Sequence, residues 1–129
     1  MQKNLFTKSK TSISTKLLGD KFERIARNHV KAEGIEIITS NYHAKTGEID
    51  FIGLENTTLI FFEVRARSNT HFGTPEETIT FKKQQRIRRT AEKFLQTNKS
   101  YQHTLCRFDV ISITYSEKDH SINWIKNAF

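Results

Sequence analysis

The sequence has one cysteine, Cys106, among its 129 residues. No internal disulfide can form, which points to a reducing compartment and an expected cytoplasmic location. Five scattered histidines and this single thiol give no zinc-type spacing. Cys106 falls in an apolar-periodic stretch and reads as a core residue rather than a reactive thiol. No apolar run approaches the roughly 20 residues needed to span a bilayer, and the longest candidate, LIFF (Leu59–Phe62), reads as a buried strand. Met1 to about Leu18 contains no acidic residue and has neither the apolar core nor the cleavage site of a secretory signal. It reads as a basic, mobile arm over residues 1–18, followed by one domain over 19–129.

Apolar residues make up 36% of the chain, enough for one core at this length. The net charge is +7. An excess of this size favours a polyanionic partner, nucleic acid before anionic lipid. Its distribution adds to the argument. Lys82, Lys83, Arg86, Arg88 and Arg89 crowd one segment, and Arg65 and Arg67 follow a central carboxylate.

Leu18, Phe22, Ile25, Ala26 and Val30 recur at helical spacing, with Gly34 as a stop signal. Three strand-like runs follow at Ile35–Tyr42, Gly47–Leu54 and Thr57–Arg67. Their short connectors, HAKTG and ENT, predict an antiparallel meander. The only proline, Pro75, precedes a second helix over about Ile79–Thr97, with Ile87, Ala91, Phe94 and Leu95 on its buried stripe. Thr104–Thr114 alternates as a fourth strand, and Ser121–Ile125 reads as a short fifth. The fold class is therefore α/β, in the order αβββαββ.

Two motifs carry chemistry, GEID (Gly47–Asp50) and EVR (Glu63–Arg65). Residues two apart on a strand share a face, so Glu48 and Asp50 point one way, as do Glu63, Arg65 and Arg67. If the second and third strands pair through ENT, Asp50 and Glu63 become neighbours. Two acids within such apolar strands need either basic neighbours or a divalent cation. Mg²⁺ suits the pair, since it is held by one or two carboxylates, waters and a substrate phosphate. Glu23 lies on the stripe of Ala26 and Val30, from which its carboxylate can reach the sheet. Asp109, flanked by Phe108 and Val110, reads as structural, and Trp124 and Phe129 as a last packing layer.

An Asp on one strand, Glu-x-Lys on its neighbour and a Glu on the first helix form the pattern of the PD-(D/E)XK nucleases. More closely, the chain resembles the YraN-like family of bacterial endonuclease-like proteins, related to archaeal Holliday junction resolvases. The resemblance runs from Gly19 to Phe129. It rests on GDKFERIA, NYHAKTGEIDFIG, FFEVRAR, FGTPEETITFKKQ, RFDVISI and WIKNAF.

It implies a restriction-endonuclease-like αβββαβ core with a mixed central sheet flanked by helices. It also implies a Mg²⁺- or Mn²⁺-dependent endonuclease acting on DNA, with branched or repair intermediates as candidate substrates. Asp50 and Glu63 match the metal-binding carboxylates, and Glu23 matches the helix-borne acid. Arg65 stands where the nuclease motif has lysine. An arginine stays protonated and cannot act as a base, but it can clamp the scissile phosphate. Lys83 falls at the family's helix lysine, where it substitutes for the missing one, contacts phosphate or is a plain surface lysine. Arg67, Lys82, Lys83 and Arg86 are the expected nucleic-acid contacts. A homodimer is the expected assembly if the substrate is a junction. The alternative reading is a non-catalytic nucleic-acid-binding module on a nuclease-like scaffold.

Overall fold

The computed structural model describes residues 2–69, 73 and 75–129, and side chains from Lys16 onward apart from 77 and 78. Phe72 and Thr74 of the FGTPEETITFKKQ stretch lie outside the described residues. The elements are α1 (Gln2–Ala32), β1 (Glu36–Ala44), β2 (Gly47–Glu55), β3 (Thr58–Ser68), α2 (Phe81–Thr97), β4 (Leu105–Tyr115) and β5 (His120–Ile125), with short 3-10 turns at Pro75–Thr78 and Lys99–Tyr101. α1 takes in the stretch expected as a basic arm, and its described side chains begin at Lys16. No helix among the described residues is long and apolar enough to cross a membrane.

The five strands form one mixed sheet in the order β1-β2-β3-β4-β5. β1, β2 and β3 make the antiparallel meander that their short connectors require. The chain then crosses over through α2, and β4 returns parallel to β3, pairing from Thr58–Leu105 to Ser68–Tyr115. β5 closes the sheet antiparallel to β4. This is the αβββαβ core with one added strand.

Each face of the sheet carries a core. On one face, Phe22, Ala26 and Val30 of α1 pack with Ile35, Phe51, Phe62, Ile111 and Ile113. On the other, Ile87, Ala91 and Phe94 of α2 pack with Ile49, Ile52, Leu59 and Phe61. The helical stripes meet a sheet that is apolar on both sides, as a strand covered on both faces must be. α2 starts two residues later than its periodicity suggests, because the Thr80 side chain accepts from Lys83 N–H and caps the helix.

Gly53 lies close against the α1-side core. A Cβ added there would sit 2.5 Å from Ile35 Cγ2 and 3.3 Å from Phe62 Cε2. Gly53→Ala is expected to cost about 1–3 kcal/mol by overpacking, measurable as a lower urea midpoint with an unchanged slope.

Cys106 is corrected by the structure. It is exposed, not part of the core. β4 enters the sheet at its edge, with Leu105 also 75% exposed, and its buried run begins only at Asp109. The apolar periodicity was real, but it started three residues later than Cys106.

Asp109 is fully buried and satisfies three groups. It accepts from Arg107 Nε (3.0 Å), Trp124 Nε1 (2.9 Å) and the backbone N–H of Asn127 (2.9 Å). Arg107 in turn donates to Glu55 (3.0 Å). The expected structural role of Asp109 is thus a tie from β4 to β5 and the C-terminal segment. Beyond it, Phe129 stacks on Phe108 at 5.2 Å under the Arg88 guanidinium, closing the packing layer.

Candidate functional site

The site forms where β2 and β3 part. Their ladder is regular from Glu55–Thr58 to Phe51–Phe62, and Asp50 and Glu63 are the next residue on each strand. Strict alternation fails here. Ile49 lies in the α2-side core and Phe51, two residues on, lies in the α1-side core. Opposite, Asn41 adopts the left-handed backbone region at φ +55°. Instead of continuing the ladder, Asp50 Oδ2 accepts from the backbone N–H of Val64 at 2.7 Å. One carboxylate oxygen thus fixes the point where the two strands part.

Glu63 is buried, at 6% exposed, and its side chain adjoins that of Asp50. Its Oε2 also meets Arg65 Nη2 at 3.0 Å and Lys83 Nζ at 3.8 Å. Burial pushes the Glu63 carboxyl up to about 8, and the Asp50 charge adds to the rise; Arg65 and Lys83 only partly oppose them. Glu63 is thereby held toward its protonated form unless further positive charge is supplied.

Glu23 approaches from α1. It lines a pocket of about 310 Å³ together with Asp50, Gly19, Phe22, Val64, Ala66 and Tyr115. Its carboxyl is raised to about 7, chiefly by burial and next by the Asp50 charge, with Arg27 at 3.7 Å working the other way. Asn41, with its amide turned to suit its neighbours, donates to Glu23 Oε1 (3.0 Å) and Glu48 Oε1 (3.3 Å). No spacing rule flagged Asn41. Its left-handed backbone is the one signal, and Asn is among the few residues that adopt it readily.

Among the described residues, no group of three or more His, Cys, Asp or Glu converges as a ready metal cage. The Asp50–Glu63 pair still fits a hard divalent ion. Both donors are oxygens, they adjoin, and burial and mutual repulsion disfavour their full charge unless a cation compensates. Such an ion needs only one or two protein carboxylates.

Lys83 leaves the inner face of α2 toward Glu63. Lys82, Arg86, Arg89 and Lys93 are exposed and spaced by four, three and four residues, so they form one row on α2 about 16 Å long. Glu92 is the one acid on that helix. Arg86 also packs beside Gly47, where its Cδ would lie 3.8 Å from an added Cβ. The β1–β2 turn bearing exposed Lys45 therefore joins the cationic face. Arg67 lies on β3, half-buried, two positions beyond Arg65.

The fold and the paired acids define an α/β domain with the αβββαβ core and an acidic site where β2 and β3 part. Comparison with known proteins gives the family. The model of "Uncharacterised protein family UPF0102" matches residues 22–113. A UPF0102 protein of Francisella tularensis is 45% identical over 113 residues, covering 87% of this chain and 93% of that protein. One from Alkaliphilus oremlandii is 40% identical over 115 residues (88% and 98%), and one from Desulforamulus reducens 40% over 117 (90% and 95%). The chain belongs to the UPF0102 family, the YraN-like group its motifs resemble.

Proposed function

We propose that this protein is a divalent-cation-dependent endonuclease that hydrolyses phosphodiester bonds in nucleic acid, with DNA the first candidate. The observation that carries the reading is the adjoining Asp50–Glu63 pair where β2 and β3 part, with Lys83 and Arg65 on one Glu63 oxygen. Asp50 and Glu63 would hold the Mg²⁺ or Mn²⁺ ion, which when bound supplies Lewis acidity at the scissile phosphate.

The chain's own groups divide the remaining tasks. Arg65 stays protonated and clamps phosphate oxygens, stabilising the charge that develops there. Glu23, with a carboxyl near 7 and on the Asp50 side of the pocket, is placed to take a proton from water at neutral pH. That assignment answers the missing lysine: the basic group need not come from the Arg65 position. Lys83 adds an ammonium beside Glu63 and keeps that acid from standing alone. The row of Lys82, Arg86, Arg89 and Lys93 supplies sequence-independent attraction to the flanking backbone.

A second reading, a non-catalytic nucleic-acid-binding module, is favoured by one contact. Arg65 lies 3.0 Å from Glu63 and offsets part of its charge without a metal. The two readings separate in one assay. Labelled linear, flap and four-way-junction DNA is incubated with Mg²⁺ or Mn²⁺ and wild type, Asp50→Ala or Glu63→Ala. Cleavage by wild type alone supports the enzyme. A gel shift with no cleavage, equal in all three proteins, leaves only the binding module.

A further inference from the structure

The pocket holding Glu23 and Asp50 does not end there. A larger one of about 480 Å³ shares Leu18, Phe22 and Tyr115 with it and extends to the β4–β5 turn. Phe22 and Tyr115 stack at 4.7 Å on the shared wall. At the far end stand Lys21, Lys118 and His120, countered by Glu117 and Asp119. The charge at that end is balanced and Glu23 and Asp50 make the other end acidic, so this trough is selective by shape rather than by long-range attraction.

Gly19 lines the acid end of the trough, one helical turn before Glu23. Glycine inside a helix is destabilising relative to alanine. Nothing in the fold demands it, since a Cβ added at Gly19 would meet no atom within 4 Å. The space a side chain would fill is the mouth of the trough beside Glu23. An absent side chain that helps no packing is explained by close approach of a ligand backbone.

We infer that this trough, from Asp50 and Glu23 past Gly19 and the Phe22–Tyr115 stack to Lys118, is the path of a single unpaired polynucleotide strand. The inference deepens the endonuclease reading and rests on it for the identity of the polymer. The occupant follows from size and lining. A space of this volume is on the scale of small-ligand sites, so it takes one strand and not a duplex. A base reaches such a pocket only when it is unpaired or flipped out. The part-exposed Tyr115 ring, backed by the buried Phe22, offers an apolar surface to a base, as single-strand sites do, and Lys21 and Lys118 meet the next phosphates. The substrate class is therefore nucleic acid with an unpaired stretch at the cut, such as a flap, an overhang or an opened branch.

The test reads binding alone, in EDTA, so that it stands apart from cleavage. Fluorescence anisotropy compares a labelled single strand of about 12 nucleotides with a blunt duplex of the same sequence, as DNA and as RNA. Wild type is expected to prefer the single strand. Gly19→Trp and Ala66→Trp, both at exposed positions lining the trough, are expected to weaken single-strand binding about tenfold or more, with duplex binding and melting temperature unchanged. Gly19→Ala is expected to raise the melting temperature and to weaken single-strand binding, though less than Gly19→Trp does. Lys118→Glu, on the exposed turn, should weaken the same arm and covers the case in which a Trp variant fails to fold.

Equal affinity of wild type for both forms overturns the strand path. So does single-strand binding indifferent to Gly19→Trp, Ala66→Trp and Lys118→Glu. A strand preference lost in these variants, in a protein that never cuts, sustains the path while the endonuclease reading fails. The DNA and RNA arms identify the polymer.

Discussion

Asp50→Asn is expected to abolish divalent-dependent cleavage while leaving a folded protein that still binds nucleic acid. The amide keeps an oxygen that can accept from Val64 N–H, so the point where the strands part stays fixed. What disappears is the charge. Without it the cation loses one of its two carboxylates, and Glu63 loses one of the influences that raise it. The loss should exceed the roughly 10–100-fold typical of merely disturbing a ligand's outer partners. Single-turnover cleavage with Mn²⁺, read beside a gel shift and a melting curve, checks it. Retained cleavage would remove Asp50 from the chemistry.

Asp109→Asn is expected to produce the largest loss of stability. The carboxylate is fully buried and accepts from three groups, one of them the Arg107 guanidinium. An amide would present an NH₂ to a site that offers only donors, and Arg107 would keep Glu55 alone as its acid. Breaking a buried ion pair on one side costs about 3–5 kcal/mol. At this chain length that is a fall in melting temperature of about 10 °C or more. Cation binding at Asp50 should survive in whatever fraction folds, which separates this structural knot from the site.

Much of the site was legible because its acids interrupt apolar runs. GEID and EVR stand out in strands that are otherwise continuous hydrophobic stretches, and Glu23 shares the periodicity of Ala26 and Val30. The short connectors fixed the meander, and the single cross-over to β4 followed from α2. Other features depend on contacts far apart in sequence. Nothing near Asp109 reveals that Trp124 and Asn127 will donate to it. Period-2 reasoning could not anticipate the break in alternation between Ile49 and Phe51, because the break is made by long-range contacts of Asp50 and by the backbone of Asn41. Cys106 was misread for a simpler reason. Its strand is apolar by pattern, but its first residues lie at the sheet's open end. Lys83 was recognisable only through the family resemblance, and the structure gives it a physical partner in Glu63.

The raised carboxyls also set a pH dependence. Glu63 near 8 and Glu23 near 7 hold protons in the folded chain that the unfolded chain, at an ordinary 4.5, has released. Between about pH 4.5 and 8 the folded state therefore binds more protons, and stability falls as pH rises. In EDTA the protein should melt several degrees lower at pH 8.5 than at pH 6, with Glu63→Gln flattening the difference. A divalent ion needs the charged forms, so its affinity should rise across the same window with release of protons.

Titration calorimetry of Mg²⁺ and Mn²⁺ at pH 6 and pH 8.5, in buffers of different ionisation heat, tests the paired-acid centre most directly. The expected result is binding by wild type that tightens with pH and releases protons, and none by Asp50→Asn. Absence of binding at both pH values, or equal binding by the variant, would contradict a cation site between Asp50 and Glu63.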